Sequence, residues 1–254
     1  MNKAEASRSV KISRLYDPTV SLDQKLPFLR EGIPSLQYSP IPEGSRDLTV
    51  ILPGNTNGIS KEGEPGLLNS IIAISAQRSG VLASSFPHQE RNEVPTKMQN
   101  YIEQEEAQQR TNALLQVAIQ GLPEGGTLTI VAKSIGAIKA VQWLHAQDPN
   151  LRRRVKFVVL GYPLSLGDDK DEYKKKYYDP DRFVLTTECA RTTIVQGTQD
   201  KYGSPEDLKT ALDQTAKGAN VNVVGVSGGH SYDEEGKSEI IQLIERDFQD
   251  VAAV

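Results

Sequence analysis

A single cysteine, Cys189, and three histidines are all that the 254 residues offer to thiolate or imidazole chemistry. One thiol cannot close an internal disulfide, and neither residue set completes a thiolate zinc site or a His-rich metal cage. No metal is therefore expected, and a reducing compartment, the cytoplasm, fits best. Long apolar runs are missing as well. The first twenty residues hold none longer than two, and nowhere does the chain approach the ~20 apolar residues that a bilayer demands. A membrane span and a secretion signal are thus not expected. Nor does one sign of charge dominate, since 29 Lys and Arg face 33 Asp and Glu for a net charge of −4. No global field recruits nucleic acid or an anionic surface.

What is present suits a soluble α/β domain. Adding the 20 glycines to the 37% hydrophobic residues gives roughly 45% apolar composition, enough for a sizeable core. Residues 1–46 carry Pro18, Pro27, Pro34, Pro40 and Pro42, which suit edge strands and turns better than helices. Two short antiparallel strands of the same domain are expected there. From Asp47 onward short β-rich runs alternate with longer segments of helical period, the mark of a mostly parallel sheet with helices on both faces. Residues 47–254 read as that core. The expected strands are 48–52, 81–86, 127–132, 155–161, 192–196 and 221–226, each apolar enough to be covered on both faces. The expected helices are 66–79, 98–120, 135–147, 204–217 and 236–250. Ser204 before Pro205, with Glu206 and Asp207 in the first turn, is a strong helix start. Ile135, Ile138, Val141 and Leu144 form one apolar stripe.

A charged excursion at about 163–190 interrupts the pattern. Eleven of the fifteen residues 168–182 are charged, five basic and six acidic, with Tyr173, Tyr177 and Tyr178 between them. It reads as a solvated helical excursion or as a small lid over a pocket. Lys174–Lys176 do not make a nucleic-acid patch, because adjacent acids cancel most of their field. Arg152–Arg154 read as a turn entering a strand, where helix carbonyls upstream favour positive charge.

The most informative stretch runs from Thr127 through Ala132-Lys-Ser134-Ile-Gly136 to Trp143, an apolar strand turning directly into a periodic helix. A strand-to-helix elbow of this form holds a serine hydroxyl clear of the backbone and aims the next N–H groups at an incoming carbonyl. Ser-x-Gly alone is a weak signal. It occurs three times, at Ser134, Ser165 and Ser227, against roughly 1.5 expected by chance. Only Ser134 joins a strand to a strongly periodic helix; its plainer reading is a turn or helix-cap serine.

A serine hydroxyl needs a base, and the base a carboxylate to fix its tautomer. Thr192–Gln196 is a strand whose following turn carries Asp200, and Val221–Val226 is a strand whose glycine loop carries His230. Alone, Asp200 reads as a turn residue and His230 as a polar loop residue. Together with Ser134 they follow three different strands, in the order Ser, Asp, His. His88 also follows a strand and, with Gly54 and Tyr162, is expected to line the pocket, whereas His145 lies inside a helix. Cys189 lacks an elbow and reads as a packing residue. The oxyanion donors expected are the backbone N–H groups of Ile135 and Asn55, the latter in the loop Pro53-Gly54-Asn55-Thr-Asn-Gly58. A plain Asn-Gly turn is the alternative for that loop.

With these pieces in place, residues 47–250 resemble an α/β-hydrolase of the dienelactone-hydrolase-like kind. Ser85-Phe-Pro-His88, Leu160-Gly-Tyr-Pro163, Gln196-Gly-Thr-Gln-Asp-Lys-Tyr-Gly203 and Gly228-Gly-His-Ser231 are most similar to a small group. That group contains the testis-expressed hydrolase-like protein and the third subunit of the nonspecific-lethal chromatin complex. The resemblance implies a nucleophile at Ser134, an acid at Asp200 and a base at His230. Ala132 stands where the elbow's first glycine is usual, and Pro53 where many relatives have histidine. Two functional expectations follow. One is a cofactor-independent serine hydrolase acting on a small-molecule carboxylic ester or related acyl compound; the other is a catalytically silent hydrolase-fold scaffold that binds a protein partner.

Overall fold

The computed structural model describes residues 24–27, 36–54, 65–84, 97–164, 188–214 and 221–249. The excursion at 168–182, Ser165, Asn55 and His88 lie outside them, as does most of the segment before residue 36. Among the described residues seven strands form one sheet: β1 (Gln37–Ser39), β2 (Leu48–Leu52), β3 (Gly80–Ala83), β4 (Leu128–Lys133), β5 (Val155–Leu160), β6 (Arg191–Gly197) and β7 (Val221–Val226). Their order is β1-β3-β2-β4-β5-β6-β7. Every pairing is parallel except that of β1 with β3. Of the two antiparallel strands expected before residue 46, the described residues contain one, β1, followed at once by Pro40 and Pro42 where no further ladder bond is needed.

Among the described residues the helices that accompany the sheet are α1 (Pro65–Ala76), α2 (Lys97–Gly121), α3 (Ile135–His145), α4 (Pro149–Arg152), α5 (Pro205–Gln214) and α6 (Glu234–Gln249). Strand alternation divides the core into two layers. Leu48, Val50, Leu52, Ile130, Phe157 and Val159 pack with α2, α3 and α5. Ile51, Val81, Val131, Val158, Leu160 and Val195 pack with α1 and α6 on the other face. The chain leaves β2 outward to β3, then returns to the other side of β2 as β4. The carboxyl ends of β2 and β4 therefore flank the point where winding reverses, where open parallel sheets hold their ligands. Among the described residues no helix is long and apolar enough to cross a membrane.

Element ends follow local capping chemistry. The Ser204 N–H donates to the Asp207 carboxylate and the Asp207 N–H donates back to Ser204 Oγ, so α5 begins one residue after Ser204. Asp233 accepts the Gly236 N–H, which starts α6 at Glu234, two residues before its expected start. The extra short helix α4 is capped by Asp148, which accepts the Asn150 N–H, and has Pro149 at its first position. It replaces the turn expected at Arg152. That side chain is buried and donates to the Leu144 and Gln147 carbonyls at the end of α3, where positive charge is favoured. Strand β7 also departs from expectation. It lies at the sheet edge, and Val221–Gly225 are only partly buried or exposed rather than covered on both faces.

Helix α3 is enclosed well beyond its expected stripe, because residues 135–141, Trp143 and Leu144 are all buried. Lys139 is caught in this layer at 2% exposure. Burial pushes its ammonium down to about 8. The folded state then holds this proton less tightly than the unfolded chain, so stability rises with pH from about 8 to the ordinary 10.5. Below that window the penalty is constant. Lys139→Met is expected to raise unfolding free energy at pH 7 by about 1–3 kcal/mol, with the gain fading toward the upper end of the window. Urea unfolding at pH 7 and near pH 10 checks this; an equal gain at both would assign the effect to packing rather than charge.

Candidate active site

Parallel register brings the carboxyl ends of β4, β5, β6 and β7 to one edge, with Lys133 opposite Leu160, Leu160 opposite Val195 and Gly197 opposite Val226. Ser134 follows β4 directly. Its backbone sits at φ 51° and ψ −121°, a conformation that costs a non-glycine residue about 1–3 kcal/mol. Its N–H donates to the Leu160 carbonyl at 2.9 Å and its own carbonyl accepts the Ala137 N–H, so the surrounding ladder enforces the turn. The elbow also needs Gly136, because a Cβ there would stand 2.5 Å from the Pro53 carbonyl oxygen and 2.9 Å from that of Leu52. Ser134 occupies the cap position of α3 without capping it. Its hydroxyl points elsewhere.

Ser134 Oγ lies 2.8 Å from His230 Nε2, and His230 Nδ1 lies 2.7 Å from Asp200 Oδ2. The carboxylate also accepts the Tyr202 N–H at Oδ1 and a Gln196 side-chain N–H at Oδ2. An ionised carboxylate only accepts, so the Nδ1 proton belongs to the imidazole, and Nε2 is left to receive the serine O–H. The Asp200 side chain has 0% exposure and that of His230 19%. One end of the relay is therefore dry and the other open.

His230 reaches this position from β7 by crossing back over β6 and β5. A Cβ on Gly161 would meet His230 Cε1 and Nδ1 at 3.3 Å and the Tyr232 hydroxyl at 3.2 Å, and the residue sits at φ +65°. The imidazole thus lies over the bare end of β5. Tyr202 packs edge-on against it, ring centroids 4.7 Å apart. Tyr232, at φ 57°, anchors the turn by donating to the Val195 carbonyl at 3.0 Å. Below the turn, Lys133 Nζ lies 3.5 Å from the His230 carbonyl and 5.9 Å from the Tyr232 ring centroid.

The other candidates separate clearly. Ile135 opens α3, where the first N–H groups have no partner within the helix. Gly54 lies against Ser134, since a Cβ on it would be 3.3 Å from the serine Cβ. Tyr162, expected to line the pocket, is a core residue at 4% exposure, and it meets the site through its backbone, which both donates to and accepts from Gln196. Ser227 is held by Asp233 and Glu239 and is not joined to the imidazole. Asp207 serves only as the cap of α5, with its carboxyl held below the usual range by the Ser204 backbone N–H. Cys189 is buried, which pushes its thiol up to about 12 and suppresses the thiolate. Among the described residues no group of three or more His, Cys, Asp or Glu is placed to hold a metal ion. Gln196, Tyr202, Tyr232 and Gly161 went unrecognised as site residues in the sequence. The segments Gln196–Gly203 and Leu160–Pro163, quoted for their resemblance, contain Gln196, Tyr202 and Gly161, and they were the signal that could have found these three.

Known proteins give a matching picture. The family model described as alpha/beta hydrolase domain matches residues 69–253. No curated protein matches the sequence. Among solved structures, Est1E from Butyrivibrio proteoclasticus with ferulic acid bound is similar at 13% identity and a TM-score of 0.61, covering 86% of this chain and 95% of that one. An alpha-beta serine hydrolase homologue from Coxiella burnetii is 15% identical with a TM-score of 0.57, covering 84% and 90%. An esterase from Pyrococcus furiosus is 17% identical with a TM-score of 0.53, covering 80% and 82%.

Because Gly161 leaves the space that the imidazole fills, Gly161→Ala is expected to lower unfolding free energy by about 1–2 kcal/mol. It should also shift the His230 ring resonances. Urea unfolding and NMR of the histidine ring measure the two effects, and unchanged resonances would contradict the close approach.

Proposed function

Because the chain belongs to the alpha/beta hydrolase domain family, we propose that it is a serine hydrolase of small carboxylic esters or related acyl compounds. The observation that carries this reading is the unbroken relay from Ser134 Oγ through His230 to Asp200, at 2.8 and 2.7 Å. Ser134 Oγ adds to the substrate carbonyl carbon as its proton passes to His230 Nε2, and Asp200 stabilises the imidazolium. The Ile135 N–H receives the developing oxyanion. We assign the second donor to the Asn55 N–H, which lies outside the described residues. The tetrahedral adduct collapses, the imidazolium returns its proton to the departing alkoxide, and an acyl-serine ester remains. Water then adds with its proton going to Nε2, and collapse releases the acid and restores the serine hydroxyl.

Within the family we place the chain nearest the dienelactone-hydrolase-like proteins and the testis-expressed group, on the four sequence segments that resemble them. Since that group includes a subunit of a chromatin complex, a silent scaffold is the rival that the test must separate. The native protein is expected to react with a fluorophosphonate at Ser134 alone, with labelling lost in His230→Ala and in denatured protein. Ser134→Ala should abolish hydrolysis of a short aryl ester while changing stability by less than about 1 kcal/mol. The Ser134→Ala, His230→Ala double variant should be hardly worse than either single change, because the residues act as a unit. Asp200→Asn should lower kcat by as much as ~10⁴. Absence of labelling in well-folded protein would favour the scaffold, and a labelled Ser165 or Ser227 would displace Ser134.

A further inference from the structure

Gln196 lies inside β6 with no solvent exposure, a polar side chain among buried strand residues. Its amide is fully engaged. Oε1 accepts the Tyr162 N–H at 2.8 Å, while Nε2 stands 2.9 Å from Asp200 Oδ2, 2.7 Å from the Gly203 carbonyl and 3.3 Å from the Tyr162 carbonyl. Two N–H bonds thus serve three acceptors, the two nearer ones in the acid loop. Rotating the amide by half a turn would set the oxygen against all three acceptors and the NH₂ against an N–H donor, so the network admits one orientation.

We propose that Gln196 is the positioning residue of the acid: it holds the Asp200 carboxylate in line with His230 and ties the acid loop to the chain leaving β5. The inference rests on the serine-hydrolase reading for its kinetic consequence but not for its geometry. Asp200 Oδ2 faces two donors at once, His230 Nδ1 at 2.7 Å and Gln196 Nε2 at 2.9 Å. The Gln196 bond fixes the rotation of the carboxyl plane, and the Tyr202 N–H fixes its far oxygen. Through Tyr162 and Gly203 the same amide closes the gap between two loops. The Leu164 Cβ would stand 3.0 Å from any Cβ placed on Gly203, so these loops are in contact just where the charged excursion departs. An amide in a strand interior could be a structural crosslink only. The distinguishing property is a dependence of the Asp200–His230 bond on the donor that Gln196 presents to Oδ2.

Gln196→Met and Gln196→Glu in the full chain test this. The first readout is the low-field proton resonance of His230 Nδ1 in its bond to Asp200, which requires no substrate. It should be present in the native protein and shifted or lost in Gln196→Met. The second is kcat/KM for an aryl ester across pH. Gln196→Met should lose about 10- to 100-fold in kcat, less than removal of the acid itself, with KM changed by less than about threefold. In Gln196→Glu the introduced carboxyl is buried beside Asp200, so desolvation and like charge raise its pKa. While protonated it donates in place of the amide; once ionised it repels Asp200. The ratio of variant to native kcat/KM should therefore fall as pH rises, which a mere crosslink would not produce. If Gln196→Met does not fold, this pH-dependent ratio decides alone. An unchanged resonance, a ratio independent of pH, or absence of the resonance from the native protein would overturn the proposal. If no variant and not the native protein turns over ester or reacts with fluorophosphonate, the hydrolase reading fails separately. The native and variant resonances then still decide the role of Gln196.

Discussion

A carboxylate without solvent must be met by donors supplied by the protein, and at Asp200 those donors arrive from three places: the His230 imidazole, the Gln196 amide inside β6 and the Tyr202 N–H. Each needs its own element in place. The imidazole arrives only if the β7 loop folds back over Gly161, and the amide only if β6 lies between β5 and β7. The Tyr202 N–H arrives only if the turn after β6 closes. Leaving any of these bonds unmade would expose the full desolvation cost of a buried charge. The site and the sheet's carboxyl edge are consequently one structural unit.

Strain is concentrated at the same edge. Ser134 holds a positive φ, Tyr232 holds another, and both lie within the relay or the turn that carries it. Neither conformation is favoured locally. They persist because adjacent strands hold them, β5 gripping Ser134 through the Leu160 carbonyl and β6 gripping Tyr232 through the Val195 carbonyl. Freed from helix capping, the serine hydroxyl is left to face the imidazole. The winding reversal between β2 and β4 then places Gly54 against the same serine and opens the edge to a ligand.

Charged side chains inside the core show where tertiary packing overrides local pattern. Lys139 occupies a helix that is enclosed almost all round, because α3 packs against both β4 and α2, whose Gln108 side chain donates to the Lys139 carbonyl. Arg152 is drawn inward to the carbonyls at the end of α3, with its other terminal nitrogen 2.7 Å from Glu188. A polar residue among apolar neighbours reads as solvent-facing in one dimension. Its burial depends on what the adjacent element covers.

The order of apolar strands and periodic helices, the elbow at Ser134 and the placement of Asp200 and His230 after later strands were all legible in the sequence itself. They are local features: β-rich runs are short, helix starts carry their own caps, and a parallel sheet gathers the residues that follow its strands at one edge. The segments Gln196–Gly203 and Leu160–Pro163 marked Gln196 and Gly161 but not their roles, because those depend on residues 34 and 69 positions away in Tyr162 and His230. The exposed character of β7 was hidden for the same reason, since an apolar run does not say whether it has one neighbour or two. Only the assembled sheet decided the strand order, the crossing of His230 over β5 and the enclosure of Lys139. Those are consequences of long-range pairing and close packing, which no short window of residues contains.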